Sequence, residues 1–364
     1  MGTHMLDTIP IHHPNPNSQA FIAHLMGQKP LTAAPLVEYN IDDSHIQRIT
    51  TEIFNRPWIP WSRTRSDQQS CLDNFIQIWY RLGYDFVRFE RSLRFDEKRV
   101  IGKERSWVDQ QKGAIQNWQD FEQYQWPKVS EFDFSSYEYI NNNLPNGMGF
   151  IVSHAGGVFE HLSQIMSFEG LCYALVDQRD LVEAIVEKLG TLTTEFYSQI
   201  LDLDHVIALW PGDDMGYHSG TMISPADLGQ LILPWHKIFA RMAHKRGLPY
   251  FLHSCGNLTD IMDTLIADVM IDGKHSFEDS IIPVEDFHKQ YGKRIAVLGG
   301  VDVNILASGT PEEVRARTRD LIEKCDLIGR FGIGSGNSIP DYVPLNNYLA
   351  MIDERHKVAH AGKH

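Results

Sequence analysis

The sequence predicts an α/β fold, a single (β/α)8 TIM barrel in which one closed parallel sheet is wrapped by helices. Three observations carry this. Short apolar runs recur eight times along the 364 residues. Amphipathic stretches separate them, the alternation that parallel strands with crossover helices produce. No Gly-rich phosphate fingerprint follows the first run, which disfavours the rival, a doubly wound open sheet.

The expected strands are, in order, "PLVEYN" (35–40), "YDFVRFE" (84–90), "GFIVSH" (149–154), "HVIALW" (205–210), "PYFLHS" (249–254), "DVMIDGKH" (268–275), "RIAVLGG" (294–300) and "GRFGIGSG" (329–336). Each is rich in β-branched or aromatic residues, as strands buried on both faces require. Of the helices between them, "DQRDLVEAIVEKLGTLTTEFYSQIL" is amphipathic. Another is expected to start at an N-cap, Ser224, with Pro225 in its first turn, and to end at Gly247. A third repeats the scheme with Thr310, Pro311 and the acidic pair Glu312 and Glu313. Residues 91–148 fit least well and read as an insertion bordering the barrel mouth. One domain over 6–364 is expected, and "MGTHM" at 1–5 reads as a cloning remnant.

Composition narrows the function classes. The net charge of −14 and the absence of a dense Lys/Arg patch argue against nucleic-acid binding. The chain shows no signal peptide and no run of 18 apolar residues, and its four cysteines, Cys71, Cys172, Cys255 and Cys325, are widely spaced. A cytoplasmic protein with no disulfide framework and no membrane association is expected. A small-molecule substrate fits better.

Active sites of such barrels lie at the carboxyl ends of the strands, and titratable residues gather there in the sequence. His154 ends the third run. Asp213 and Asp214 follow the fourth in "PGDDMG". His253 and Cys255 end the fifth in "FLHSCGN". Lys274, His275 and Glu278 belong to the sixth, Asp302 to the seventh, and Ser335 and Asn337 to the eighth. His154, Asp213 and Asp214 are the candidate catalytic groups, with one of the two aspartates facing the pocket as a base or substrate anchor; the other reading is that one caps the following helix and the other is solvated. Lys274, His275, Asp302, Ser335 and Asn337 are candidate substrate- or cofactor-binding residues.

His253 and Cys255 sit two apart on extended backbone, so both side chains face one side. Imidazole nitrogen and thiolate sulfur are zinc ligands, and Glu278, one strand further round, offers a third donor for a catalytic Zn²⁺ with an open position. The pair also reads as a hydrogen-bonded pocket histidine beside a small buried hydrophobe. Spacing alone leaves both open.

"LHSCGN", "YGKRIAVLGGVDVNILASGTPEEVRART" and "GSGNSIPDYVPLNNYLAMID" together resemble the uroporphyrinogen decarboxylase (URO-D) superfamily over about residues 147 to 354. The resemblance implies a URO-D-like barrel and one of two chemistries. One is cofactor-free decarboxylation of uroporphyrinogen. The other is methyl transfer between a corrinoid protein and a zinc-activated thiol, in enzymes that carry a His-x-Cys pair where this chain has His253 and Cys255. The methyltransferases place a further cysteine in a "GCG"-like context in the last loop, and the decarboxylases a histidine in "GHG". This chain has Ser335 in "GSG" and departs from both. After its first run it reads "IDDSHIQ", with none of the arginines that a substrate with eight carboxylates demands. The chain is therefore closer to the methyltransferase branch. The expected function is methyl transfer from a corrinoid (methylcobalamin) partner protein to a thiol or related acceptor. The alternatives are a metal-free decarboxylase or lyase of a carboxylated substrate, in which Asp213 or Asp214 protonates a carbanion, and a corrinoid- or small-molecule-binding protein without turnover.

Overall fold

The computed structural model describes residues 6–95, 99–101, 106–108, 113–326 and 329–361. The parallel strands are β1 (Phe86–Arg91), β2 (Gly149–His154), β3 (Val206–Leu209), β4 (Phe251–His253), β5 (Gly273–His275), β6 (Ala296–Leu298) and β7 (Phe331–Gly332). β1, β2 and β3 form one ladder, and β4, β5, β6 and β7 another. A bridge between Leu209 and Tyr250 joins the two ladders, and one between Leu36 and Ile333 seats the 35–40 segment beside β7. All these pairings are parallel, and they follow the order of a barrel. The remaining seam, between 35–40 and β1, carries no recorded ladder among the described residues. There the Arg88 guanidinium donates to the Tyr39 carbonyl oxygen at 2.8 Å and to that of Trp210 at 3.1 Å.

The apolar runs therefore lie where sequence places them, but the paired stretches are shorter. β2 is paired and buried along all six residues, whereas 35–40 contributes only the Leu36 bridge beside β7. Close approach of backbones explains one glycine in these runs. A Cβ on Gly334 would collide with the Val37 carbonyl, so "GSG" passes the first segment only without a side chain there.

The helices follow their signals. Ser224 caps its helix by accepting from the Asp227 amide, and Gly247 takes φ +73° after the following helix Leu233–His244. Thr310 and Glu313 form a capping box at the start of Pro311–Cys325. Within the 91–148 stretch, the helix Ser135–Asn143 serves as part of the crossover from β1 to β2. Its Tyr137 hydroxyl donates to the Ser153 carbonyl at 2.6 Å and accepts from the Arg91 amide at 2.8 Å, which ties that helix to two strand ends. Phe95, just beyond β1, packs on the rings of His161 and His154. Residues 96–98, 102–105 and 109–112 of the expected insertion, and the expected remnant at 1–5, lie outside the described residues. No helix among the described residues is long and apolar enough to cross a membrane.

Candidate active site at the strand ends

The strand period of two sends His253 and His275, neighbours in the β4–β5 register, toward the same interior. The Tyr39 ring lies flat on His253, with centroids 4.0 Å apart, and the Arg88 guanidinium covers the other region of that ring at 3.5 Å. Arg88 is itself neutralised by Glu90 at 2.6 Å. The barrel's upper interior is thus a stack of aromatic and cationic groups that fixes His253 in place.

Above that stack, three donors converge. Asp214 Oδ1, His253 Nε2 and Cys255 Sγ lie within 4.8 Å of one another. Cys255 Sγ is 3.5 Å from His253 Nε2, and Asp214 Oδ1 is also 3.5 Å from that nitrogen. Asp214 accepts from the Cys255 amide at 2.8 Å, which anchors its carboxylate. The Asn337 amide donates to Cys255 Sγ at 3.1 Å and the Ser276 hydroxyl at 3.6 Å. Burial, with Asp214 next to it, pushes the Cys255 thiol up to about 12. Burial, then His275, Arg88 and Lys274, drives His253 well below its ordinary value, so the imidazole is neutral and keeps a lone pair.

Adjacent carboxylates diverge here, as extended backbone demands. Asp213 is wholly buried. It accepts from the Phe159 and Glu160 amides at 3.0 and 2.9 Å, at the start of the helix Val158–Met166, and from His236 Nε2 at 3.0 Å. His236 in turn meets the Tyr250 hydroxyl at 2.7 Å. A Cβ on Gly157 would strike the Asp213 side chain, so glycine is required for this approach.

The other expected residues are placed as follows. His154 Nε2 accepts from the Leu93 amide at 2.9 Å, and Nδ1 faces the Gly156 carbonyl at 3.0 Å, so backbone engages both nitrogens. Lys274 is buried, donates to the Ser276 and Ser254 carbonyls, and is drawn down to about 8 by burial. Asp302 caps Val303–Ser308 through the Asn304 amide at 2.7 Å and also takes the Asp279 amide at 2.7 Å. The Ser335 hydroxyl donates to Glu38 at 2.6 Å. Glu278 lines a neighbouring apolar cavity with Lys274, Phe277 and Phe287, and Asp214 stands in the converging group where Glu278 is expected.

Sequence reading missed Glu38, Tyr39 and Arg88. For Glu38 and Arg88 the available signal was a charge set directly between apolar or aromatic neighbours: Glu38 between Val37 and Tyr39, and Arg88 between Val87 and Phe89. Such a residue is costly unless the fold pairs it.

A parallel barrel that collects carboxylate, imidazole and thiol at the carboxyl ends of its strands has the layout of a barrel enzyme. The chain belongs to the uroporphyrinogen decarboxylase (URO-D) family, whose model matches residues 67–358. Among solved structures, 35 chains match. One, a methyltransferase from Methanosarcina mazei, aligns with a TM-score of 0.67 at 15 % identity, covering 94 % of this chain and 99 % of that chain. At that identity the likeness is one of fold. No curated protein matches in sequence.

Proposed function

We propose that this protein is a methyltransferase that moves a methyl group from a corrinoid carrier protein to the sulfur of a thiol substrate, with Asp214, His253 and Cys255 as the ligands of a zinc ion. The observation that carries the reading is the convergence of those three donors within 4.8 Å. The donor set fits zinc: one carboxylate oxygen, one neutral imidazole nitrogen and one sulfur, all borderline-to-soft or common zinc donors, leaving a fourth position open. The barrel fold shared with a protein named a methyltransferase supports it too.

When bound, zinc supplies Lewis acidity that brings a coordinated thiol toward its thiolate at neutral pH. The chain's own residues do the rest. Asp214 accepts from the Cys255 amide, which orients its carboxylate. Asn337 and Ser276 donate to the Cys255 sulfur and orient it. The flat Tyr39 ring excludes water from one face of His253. Burial keeps the Cys255 thiol protonated until a cation arrives, so metal uptake releases a proton and strengthens as pH rises.

The test is direct. Protein incubated with excess zinc and desalted retains about one equivalent, and with methylcobalamin it methylates one or more members of a thiol panel. Retention of far less than one equivalent sinks the thiol-activation reading. Metal-free turnover of a carboxylated substrate would favour the lyase alternative instead.

A further inference from the structure

The ring nitrogens beneath the three donors form a line with a fixed direction. His275 Nε2 is 3.3 Å from the main-chain carbonyl oxygen of Ser335. A carbonyl oxygen only accepts, so the proton in that contact belongs to His275 Nε2. His275 Nδ1 is 2.7 Å from His253 Nδ1. Both rings are buried. The Tyr39 ring stacks on both imidazoles and carries the Arg88 guanidinium at 3.5 Å, and Lys274 is buried next to His275 in the chain, which disfavours a further positive charge on either ring. A neutral His275 that donates from Nε2 has only a lone pair at Nδ1. His253 must then supply the proton between the two Nδ1 atoms. Its own Nε2 is left bare, on the side that holds Asp214 and Cys255.

We propose that His275, oriented by the Ser335 carbonyl, is a positioning residue that sets His253 in the Nδ1–H tautomer and so presents a bare Nε2 to the Asp214–Cys255 side. The role of the residue at 335 is thereby partly main-chain. The carbonyl holds His275, while the hydroxyl is spent on Glu38. The opposite tautomer of His253 would put a proton at Nε2, in the space a cation must occupy, and would set two lone pairs against each other at the Nδ1 contact. Outer hydrogen bonds of this kind orient metal-binding histidines and raise their basicity. The consequence for metal affinity rests on the zinc reading above. The tautomer itself does not.

Nitrogen-15 NMR of histidine-labelled, metal-free full chain at neutral pH reads the tautomers, with His253→Gln and His275→Gln spectra assigning the signals. The expected result is a proton on Nδ1 of His253 and on Nε2 of His275. A proton on Nε2 of His253, or an imidazolium at His275, overturns the proposal. Zinc competition titrations then read the consequence. His275→Leu should lower zinc affinity by about 10- to 100-fold, and His275→Gln, whose amide oxygen can take the Nδ1 proton, should recover part of it. A folded His275→Leu protein that binds zinc as tightly as wild type overturns the positioning role. Wild type that shows the expected tautomers and binds no zinc supports the proton line and defeats the zinc reading alone.

Discussion

A cysteine thiol held up at about 12 is a poor nucleophile and a reluctant ligand until a cation displaces its proton. Cys255→Ala should therefore cut zinc affinity by more than about 100-fold, beyond what loss of an outer partner costs, with the fold's circular dichroism unchanged; retained stoichiometric zinc in that variant would remove Cys255 from the ligand set. Glu38 gives a second residue-scale prediction. Burial raises its carboxyl from 4.5 to about 8, against the hydrogen bonds from Ser335 and Tyr39 that favour the anion. The folded state thus binds the proton more tightly than the unfolded one. Its contribution is fully present below pH 4.5 and is lost as pH rises through about 8. By neutral pH the loss is roughly 3 kcal/mol. Glu38→Gln should flatten that part of the stability-against-pH curve, read by urea unfolding at several pH values; an unchanged slope would argue against a protonated Glu38. The pairing of His253 with Cys255 was legible because a strand period of two is a property of backbone. The third donor was not. Which of two adjacent aspartates turns inward depends on a loop, and the structure turns Asp214 rather than drawing in Glu278.

At the scale of elements, Asp213 works as a clamp between three pieces of chain. It fills the start of the helix Val158–Met166, where amides lack intrahelical partners, and it holds His236 from the helix Leu233–His244. Asp213→Ala would leave two amides and a ring N–H without an acceptor in a closed space. A loss of about 3 kcal/mol or more is expected in denaturant unfolding, and Asp213→Asn should lose less because its amide oxygen still accepts. A stability equal to wild type in Asp213→Ala would show that water replaces the carboxylate. Caps of this kind were only partly readable. Thr310 and Glu313 signal their helix by local spacing, which sequence displays. Asp213 acts across more than fifty residues on Phe159 and Glu160, a relation that only tertiary packing creates.

The whole barrel was legible because its strands repeat one chemical pattern, and the order of runs in the sequence becomes the order of staves in the sheet. Its seam was less so. There, the side chain of Arg88 reaches from β1 to Tyr39, in place of a run of backbone pairs. This scale also supplies an independent check on the metal site. A ligand that binds only the folded state stabilises it by RT ln(1 + [L]/Kd), about 2.7 kcal/mol at a hundredfold excess over Kd. The entropy of unfolding grows with length, so for a chain of 364 residues that increment raises Tm by about 3–4 °C. Free zinc at a hundred times its Kd should shift the melting curve by this much at constant scan rate, and a chelator should reverse it. Cys255→Ala and Asp214→Ala should each abolish the shift without lowering the metal-free Tm by a comparable amount, because the donors sit above a core that is already packed. A wild-type Tm that does not respond to zinc would mean that His253, Cys255 and Asp214 meet for another purpose. A shift that survives in both variants would place the bound ion elsewhere in the molecule.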